Sequence, residues 1–283
     1  MTGDRGVLTE LGLHVVGRLD GGEHGALAVE DAAGTRHVLK LFTLGELDRL
    51  TVAIDVATQS RERGVPVPEP YVVGRTASHA YTLQRHCPGA VPDWFADPHA
   101  RQLLQHWEAH VGGARGPRDW PERMVNALVH TELDVFVAHE PIRATGGAAA
   151  DVLDEIEAVG RTADPSLLRD DDLMHADWHH RNHLADGETV TAVIDWENAR
   201  PGDGRADLVL LNYWCDVYEG IGVDPTAARR VRSFTAELVE PAARRLLACY
   251  VALVQLWFVT SSRPERLEET IGRVTRHLAP LWR

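Results

Sequence analysis

Residues 173–197 carry side chains at spacings that phosphoryl transfer can use. Leu173-Met174-His175-Ala176-Asp177-Trp178-His179-His180-Arg181-Asn182 reads H-x-D-x-x-x-x-N, and the apolar run Val190-Thr191-Ala192-Val193-Ile194 ends in Asp195. A carboxylate can orient and deprotonate a hydroxyl, while an amide oxygen and a second carboxylate hold Mg2+ against nucleotide phosphates. The remaining part lies upstream. Lys40 is the single lysine in 283 residues, against 28 arginines, and sits inside Val38-Leu39-Lys40-Leu41-Phe42. A compact ammonium can reach phosphate oxygens from a narrow strand position that the wide fork of arginine does not suit. Taken alone, Lys40 reads equally well as a strand lysine that extends its head group to water.

Together these residues resemble the motifs of the aminoglycoside phosphotransferase family, antibiotic and small-molecule kinases that share the protein-kinase fold. His175, Asp177 and Asn182 match the family's catalytic loop, and Asp195, followed by Trp196 and Glu197, matches its metal-binding Asp. Gly202-Asp203-Gly204-Arg205-Ala206-Asp207-Leu208 is similar to the family's G-D-P-x-x-D-L segment, with Gly204 in place of proline. The resemblance spans nearly the whole chain and implies a role for each position. Asp177 would be the catalytic carboxylate and His175 a buttress of its loop. Asn182 and Asp195 would hold Mg2+, and Lys40 would meet the phosphates of ATP or GTP. Arg85 C=O and Cys87 N–H would hold the adenine at a hinge. Gly22, in Gly21-Gly22-Glu23-His24-Gly25, would let backbone N–H groups approach the phosphates, although a glycine pair is also ordinary turn chemistry.

Two departures stand out. Ala176 occupies a position where the family usually has glycine, a mild change unless the residue needs positive φ. The family's glutamate that pairs with the strand lysine has no obvious counterpart. Counting back from Gly64-Val65-Pro66-Val67-Pro68 reaches Asp55, with Glu46, Asp48 and Glu62 as rivals.

The elements that must position these groups form an α+β, two-lobed pattern. Ala26–Val29 and His37–Leu41 read as strands joined by a turn at Asp31-Ala32-Ala33-Gly34. A helix is expected over 44–63, where Leu47, Leu50, Ile54 and Ala57 recur at three- and four-residue intervals. The prolines at 66 and 68 end it. Residues 71–74 and 80–84 add strands, so residues 1–86 make a small antiparallel sheet with one helix, the nucleotide-binding lobe. From 87 to 283 helices dominate, over about 99–110, 121–139, 148–160, 206–217, 225–239, 241–260 and 264–281. Pro225, Pro241 and Pro264 would occupy first-turn positions, where the missing N–H costs nothing. Short strands at 173–174, 183–184 and 190–194 flank the catalytic loop.

Composition narrows the partners. The formal charge of −13 repels nucleic acid and anionic membrane. Cys87, Cys215 and Cys249 are few and widely spaced, so free thiols in a cytoplasmic protein are expected. The first residues lack an apolar signal core, and no apolar stretch is expected to reach membrane-spanning length. A zinc site built from His175, His179, His180 and His183 is disfavoured, because neither cysteines nor an H-E-x-x-H helix accompany them. Acidic residues Asp134, Asp216 and Glu219 could receive ammonium or guanidinium groups of a cationic antibiotic. A protein kinase is disfavoured, since about ten residues between Asp195 and Asp207 leave no room for a long activation segment.

The expected activity is transfer of the nucleotide γ-phosphate to a hydroxyl of an antibiotic of aminoglycoside, peptide, macrolide or nucleoside type, by a monomer or homodimer. A metabolic kinase acting on choline, homoserine or a sugar is the alternative, and an inactive nucleotide-binding homologue is a third reading.

Overall fold

The computed structural model describes residues 2–19, 25–130 and 137–281. The chain opens with α1 (Thr2–Leu11) and β1 (His14–Leu19), then β2 (Ala26–Glu30), β3 (Arg36–Phe42), α2 (Leu47–Glu62), β4 (Tyr71–Arg75) and β5 (Ala80–Arg85). The five strands form one antiparallel sheet in the order β1-β2-β3-β5-β4. The β2–β3 turn is closed by Asp31, whose Oδ1 accepts hydrogen bonds from Ala33 N–H and Thr35 N–H, both at 2.9 Å. α1 and β1 were not expected. Val15 and Val16 are adjacent and both exposed, so β1 lacks the alternation that marks a half-buried strand.

Strand alternation splits β3 between two small cores. Leu39 joins Leu13, Leu27 and Val29 under one face, while Phe42 packs with Leu50 of α2 and Ala80 of β5 under the other. Lys40 shares its face with Val38 and Phe42 and stands directly across from Thr82 of β5. The helix expected over 44–63 is a 3-10 turn, Leu44–Glu46, followed by α2. Thr43 and Glu46 close the turn, with Thr43 N–H donating to Glu46 Oε2 at 2.9 Å.

The remainder is mainly helical: α3 (Asp97–His110), α4 (Trp120–Ala127), α5 (His139–Thr145), α6 (Gly147–Gly160), α7 (Arg205–Tyr218), α8 (Pro225–Leu238), α9 (Pro241–Ser262) and α10 (Leu267–Leu278). The single helix expected over 121–139 is corrected: α4 ends at Ala127, and α5 starts at His139 beyond residues outside the description. Pro225 and Pro241 open their helices, and Pro264 opens a 3-10 turn before α10. Two ribbons flank the H-x-D-x-x-x-x-N segment: β6 (Asp172–Met174) pairs with β9 (Arg200–Gly202), and β7 (His183–Asp186) pairs with β8 (Thr189–Val193).

α9 corrects another expectation. At 22 residues it is long and apolar enough, by length and composition, to cross a bilayer. Leu246, Leu247, Ala248, Cys249, Leu253 and Leu256 are instead buried in the main core, which a helix apolar on nearly all sides requires.

Candidate active site

Lys40 and Asp195 come from opposite halves of the chain and meet. Lys40 Nζ donates to Asp195 Oδ1 at 2.7 Å and to Glu197 Oε2 at 3.1 Å. Asp195 follows β8 in a left-handed conformation, φ 70 and ψ 48, which turns the chain into the 3-10 turn Trp196–Asn198. Glu197 is buried, and its Oε1 accepts from Thr82 Oγ1 at 3.1 Å, the residue paired with Lys40 across the sheet. Arg49 of α2 donates to Glu197 O, and to Asn198 Oδ1 at 3.0 Å. Burial would lower the Lys40 pKa, but the charges of Glu197 and Asp195 outweigh it and push the ammonium well above its usual range. Burial would likewise raise Asp195, yet the Lys40 charge holds this carboxyl well below the usual carboxylate range. Glu197 is shifted the other way, upward, because its burial is deeper.

The H-x-D-x-x-x-x-N loop between β6 and β7 is hung from below by Asp207, at the start of α7. Its carboxylate accepts from His175 N–H at 2.8 Å and from Ala176 N–H at 2.9 Å, and burial pushes this carboxyl up to about 8. His175 is fully buried. Its Nε2 lies 3.0 Å from the Ile194 carbonyl, and its Nδ1 accepts the Asp177 N–H at 3.2 Å. Those partners require the neutral ring with the proton on Nε2, and burial lowers its pKa to about 4. The imidazole thus ties the loop to the strand that ends in Asp195, and Trp178 and Trp196 flank it.

Asp177 is one-third exposed and meets one side-chain donor and one ring nitrogen at ion-pair distance. Asn182 Nδ2 reaches its Oδ2 at 2.7 Å, and His179 Nε2 lies 3.3 Å from its Oδ1. His179 Nδ1 accepts the Arg181 N–H at 3.1 Å, so its proton is on the nitrogen facing Asp177. With its amide nitrogen committed, Asn182 has its oxygen left for another partner. The available donors, Asn182 Oδ1 and the Asp195 carboxylate, are hard oxygens of the kind Mg2+ takes, and Lys40 supplies a positive charge beside them. The residues fit a metal-nucleotide. Among the described residues, no group of three or more His, Cys, Asp or Glu side chains could hold a metal.

Ala176 and Asp195 are the only non-glycine residues with positive φ among those described, at 63 and 70. Both strained positions belong to this site. Gly204 also has a physical reason. A Cβ there would lie 2.6 Å from Val111 Cγ1, and its N–H donates to Asp172 Oδ2 at 3.1 Å, a bond proline cannot make. Asp203 is buried against Arg205, whose Nη2 donates to Asp203 Oδ2 at 2.7 Å, fixing the turn that precedes α7.

Other expected positions fall elsewhere. Asp55 is corrected as the lysine's partner: it accepts from Gln59 Nε2 at 2.9 Å, its side chain is half exposed, and the buried Glu197 takes Lys40 instead. Arg85 ends β5, where its N–H donates to Pro70 O at 2.9 Å. Cys87 follows, with Sγ 3.7 Å from Arg85 O and a thiol pushed up by burial. Asp216 and Glu219 share Arg232, which donates to them at 2.6 and 3.0 Å. Gly22 and Asp134 lie outside the described residues. Glu197 is visible in Asp195-Trp196-Glu197, but its link to Lys40 is not, because local spacing carries no pairing information across 157 residues.

The sequence matches the phosphotransferase enzyme family, APH, over residues 16–247. A comparison with curated proteins finds no match. Among solved structures, the chain is similar to a thermostable mutant of aminoglycoside phosphotransferase APH(4)-Ia in ternary complex with AMP-PNP and hygromycin B. The two are 19% identical, with a TM-score of 0.69 and coverage of 99% of this chain and 98% of that one. Aminoglycoside-3'-phosphotransferase of type VIII is 22% identical, with a TM-score of 0.61 over 90% of this chain and 98% of that one. The amicoumacin kinase hAmiN, in complex with AMP-PNP, Ca2+ and Ami, is 13% identical, with a TM-score of 0.62 over 96% and 93%. A sheet-borne lysine meeting the aspartate that follows β8, beside a braced H-x-D-x-x-x-x-N loop, agrees with the match over residues 16–247: the chain belongs to the phosphotransferase enzyme family.

Proposed function

We propose that this protein moves the γ-phosphoryl group of ATP or GTP to a hydroxyl of a small molecule, an antibiotic whose modification confers resistance. The observation that carries the reading is the 2.7 Å contact between Lys40 Nζ and Asp195, made across the two halves beside the Asp177–Asn182 pair. In the proposed division, residues 1–86 bind the nucleotide, with Arg85 and Cys87 at the adenine, and residues 87–283 carry the catalytic loop and the acceptor. Asp177 accepts the hydroxyl's hydrogen bond and takes its proton as the oxygen attacks phosphorus. A new P–O bond forms to the acceptor, the bond to the β-phosphate oxygen breaks, and the nucleoside diphosphate leaves. His179 and Asn182 hold the two carboxylate oxygens of Asp177 in place, and His175 keeps its loop against β8. Lys40 binds phosphate oxygens, and Glu197 anchors Lys40. Mg2+, held by Asn182 and Asp195, would neutralise charge on the transferring phosphate.

Support for an antibiotic acceptor comes from the hygromycin B and amicoumacin complexes of similarly folded proteins. A metabolic hydroxy compound is the second reading, and one observation favours it. Asp216 and Glu219, expected to receive ammonium groups, are occupied by Arg232. Asp177→Ala tests the mechanism: nucleotide binding is expected to stay within a few-fold of wild type while turnover falls at least a thousandfold. Equal loss of both would overturn the role of Asp177. Resistance profiling of a sensitive host expressing the chain separates the two acceptor readings.

A further inference from the structure

A cavity of about 240 Å3 lies against α7, with Asp216, Glu219, Arg232, Arg273, Arg276 and His277 in its lining. Its carboxylates are already committed. Arg232 of α8 places Nε and Nη2 on Asp216 Oδ1 at 3.2 and 2.6 Å, and Nη2 also reaches Glu219 Oε2 at 3.0 Å. Arg273 of α10 pairs with Glu269 and lies over the Tyr218 ring, 5.5 Å from its centroid. Arg276 forms no hydrogen bond or ion pair among the described residues. His277 turns Nδ1 to Asp216 Oδ2 at 3.7 Å, and its Nε2 is buried with no hydrogen-bond partner among the described residues. With Nδ1 turned to the Asp216 carboxylate, Nε2 donates to a ligand oxygen when the ring is the imidazolium, and such a bond would recover the roughly 1–3 kcal/mol that a buried unpaired polar atom costs.

The cavity is joined to the catalytic carboxylate by touching rings. Tyr218 stacks on Trp214 at 5.5 Å, Trp214 lies 5.1 Å from His179, and His179 Nε2 lies 3.3 Å from Asp177 Oδ1. A cation entering the cavity would compete with Arg232 for both carboxylates. An oxyanion would find Arg276 unpaired and Arg273 close by.

We propose that this cavity is the second subsite of the acceptor, and that the acceptor carries an oxyanion, a carboxylate or phosphate group, in addition to the hydroxyl that is phosphorylated. The proposal rests on the phosphotransferase reading of Asp177 and adds the charge of the substrate.

Protein loaded with ADP and Mg2+ is titrated with succinate and, in parallel, with inorganic phosphate, following tryptophan fluorescence. The expected result is a saturable response, weakened at least tenfold in Arg276→Ala and largely restored in Arg276→Lys, with the tighter ion identifying the group. Absence of saturation by both ions, or equal affinity in Arg276→Ala, overturns the subsite. Hydroxy acids are then compared with their amides in an ADP-coupled assay. A lower KM for the acids is expected, and preference for the amides overturns the proposal. Failure of the underlying reading would appear separately, as acceptor-independent ATP hydrolysis that survives in Asp177→Ala.

Discussion

Replacing Glu197 with glutamine tests whether this buried carboxylate anchors Lys40. Glutamine keeps the volume and can still accept from Thr82 Oγ1, now 3.1 Å from Glu197 Oε1. What it loses is the charge at Oε2, 3.1 Å from Lys40 Nζ. A hydrogen bond to a charged group contributes roughly 1.5–3 kcal/mol net, which corresponds to a fall of about 10- to 150-fold in kcat/KM for ATP. Stability should respond far less. Lys40 retains Asp195 at 2.7 Å, and removing a carboxylate from a buried site relieves a desolvation cost that offsets much of the lost attraction. In the proposed metal-nucleotide complex Asp195 would turn to Mg2+, and Glu197 would be the carboxylate left to hold the ammonium. ADP-coupled kinetics at varied ATP, with a thermal melt of the same preparations, separate the two effects. Glu197→Gln within threefold of wild type in kcat/KM, while Lys40→Ala loses more than a hundredfold, would refute the anchoring argument.

The strained loop and the buried histidines give two more tests. Ala176→Gly should stabilise the protein by about 1 kcal/mol in urea unfolding, because φ 63 penalises any Cβ, and Ala176→Val should destabilise it. Destabilisation by glycine would mean that methyl packing outweighs the strain. His183 is buried, both ring nitrogens lack a hydrogen-bond partner among the described residues, and burial lowers its pKa to about 3. As pH falls below the unfolded value near 6.5 the unfolded chain takes up the proton first, so the stability contribution is present above that value and is lost from there towards pH 3. At pH 5 the loss is about 2 kcal/mol. His183→Leu should therefore gain about 2 kcal/mol on wild type between pH 8 and pH 5, measured by urea unfolding at both. No such gain would place a proton partner on His183 in the native state.

Elements whose residues alternate or recur regularly were legible in the sequence. β2, β3, β4, β5 and the helices opened by Pro225 and Pro241 follow from local period and proline geometry. β1 was not, since its adjacent exposed valines break the alternation, and the 121–139 pattern hid the end of α4. The H-x-D-x-x-x-x-N loop was legible because the chemistry proposed for it needs fixed residue types at fixed spacing. Its supports were less so: the motif contained Asp207, but only the fold puts its carboxylate under the N–H groups of His175 and Ala176.

The amino-acid order by itself singled out the side chains proposed to carry the chemistry: one ammonium on a strand, a carboxylate and an amide in a loop, and an aspartate closing the next ribbon. Tertiary structure decided who partners whom. Lys40 lies 155 residues from Asp195 and 157 from Glu197, a separation across which local spacing carries no pairing information. The choice of Glu197 over Asp55 followed from burial, because a carboxylate withdrawn from water must find a cation while a half-exposed one is already solvated.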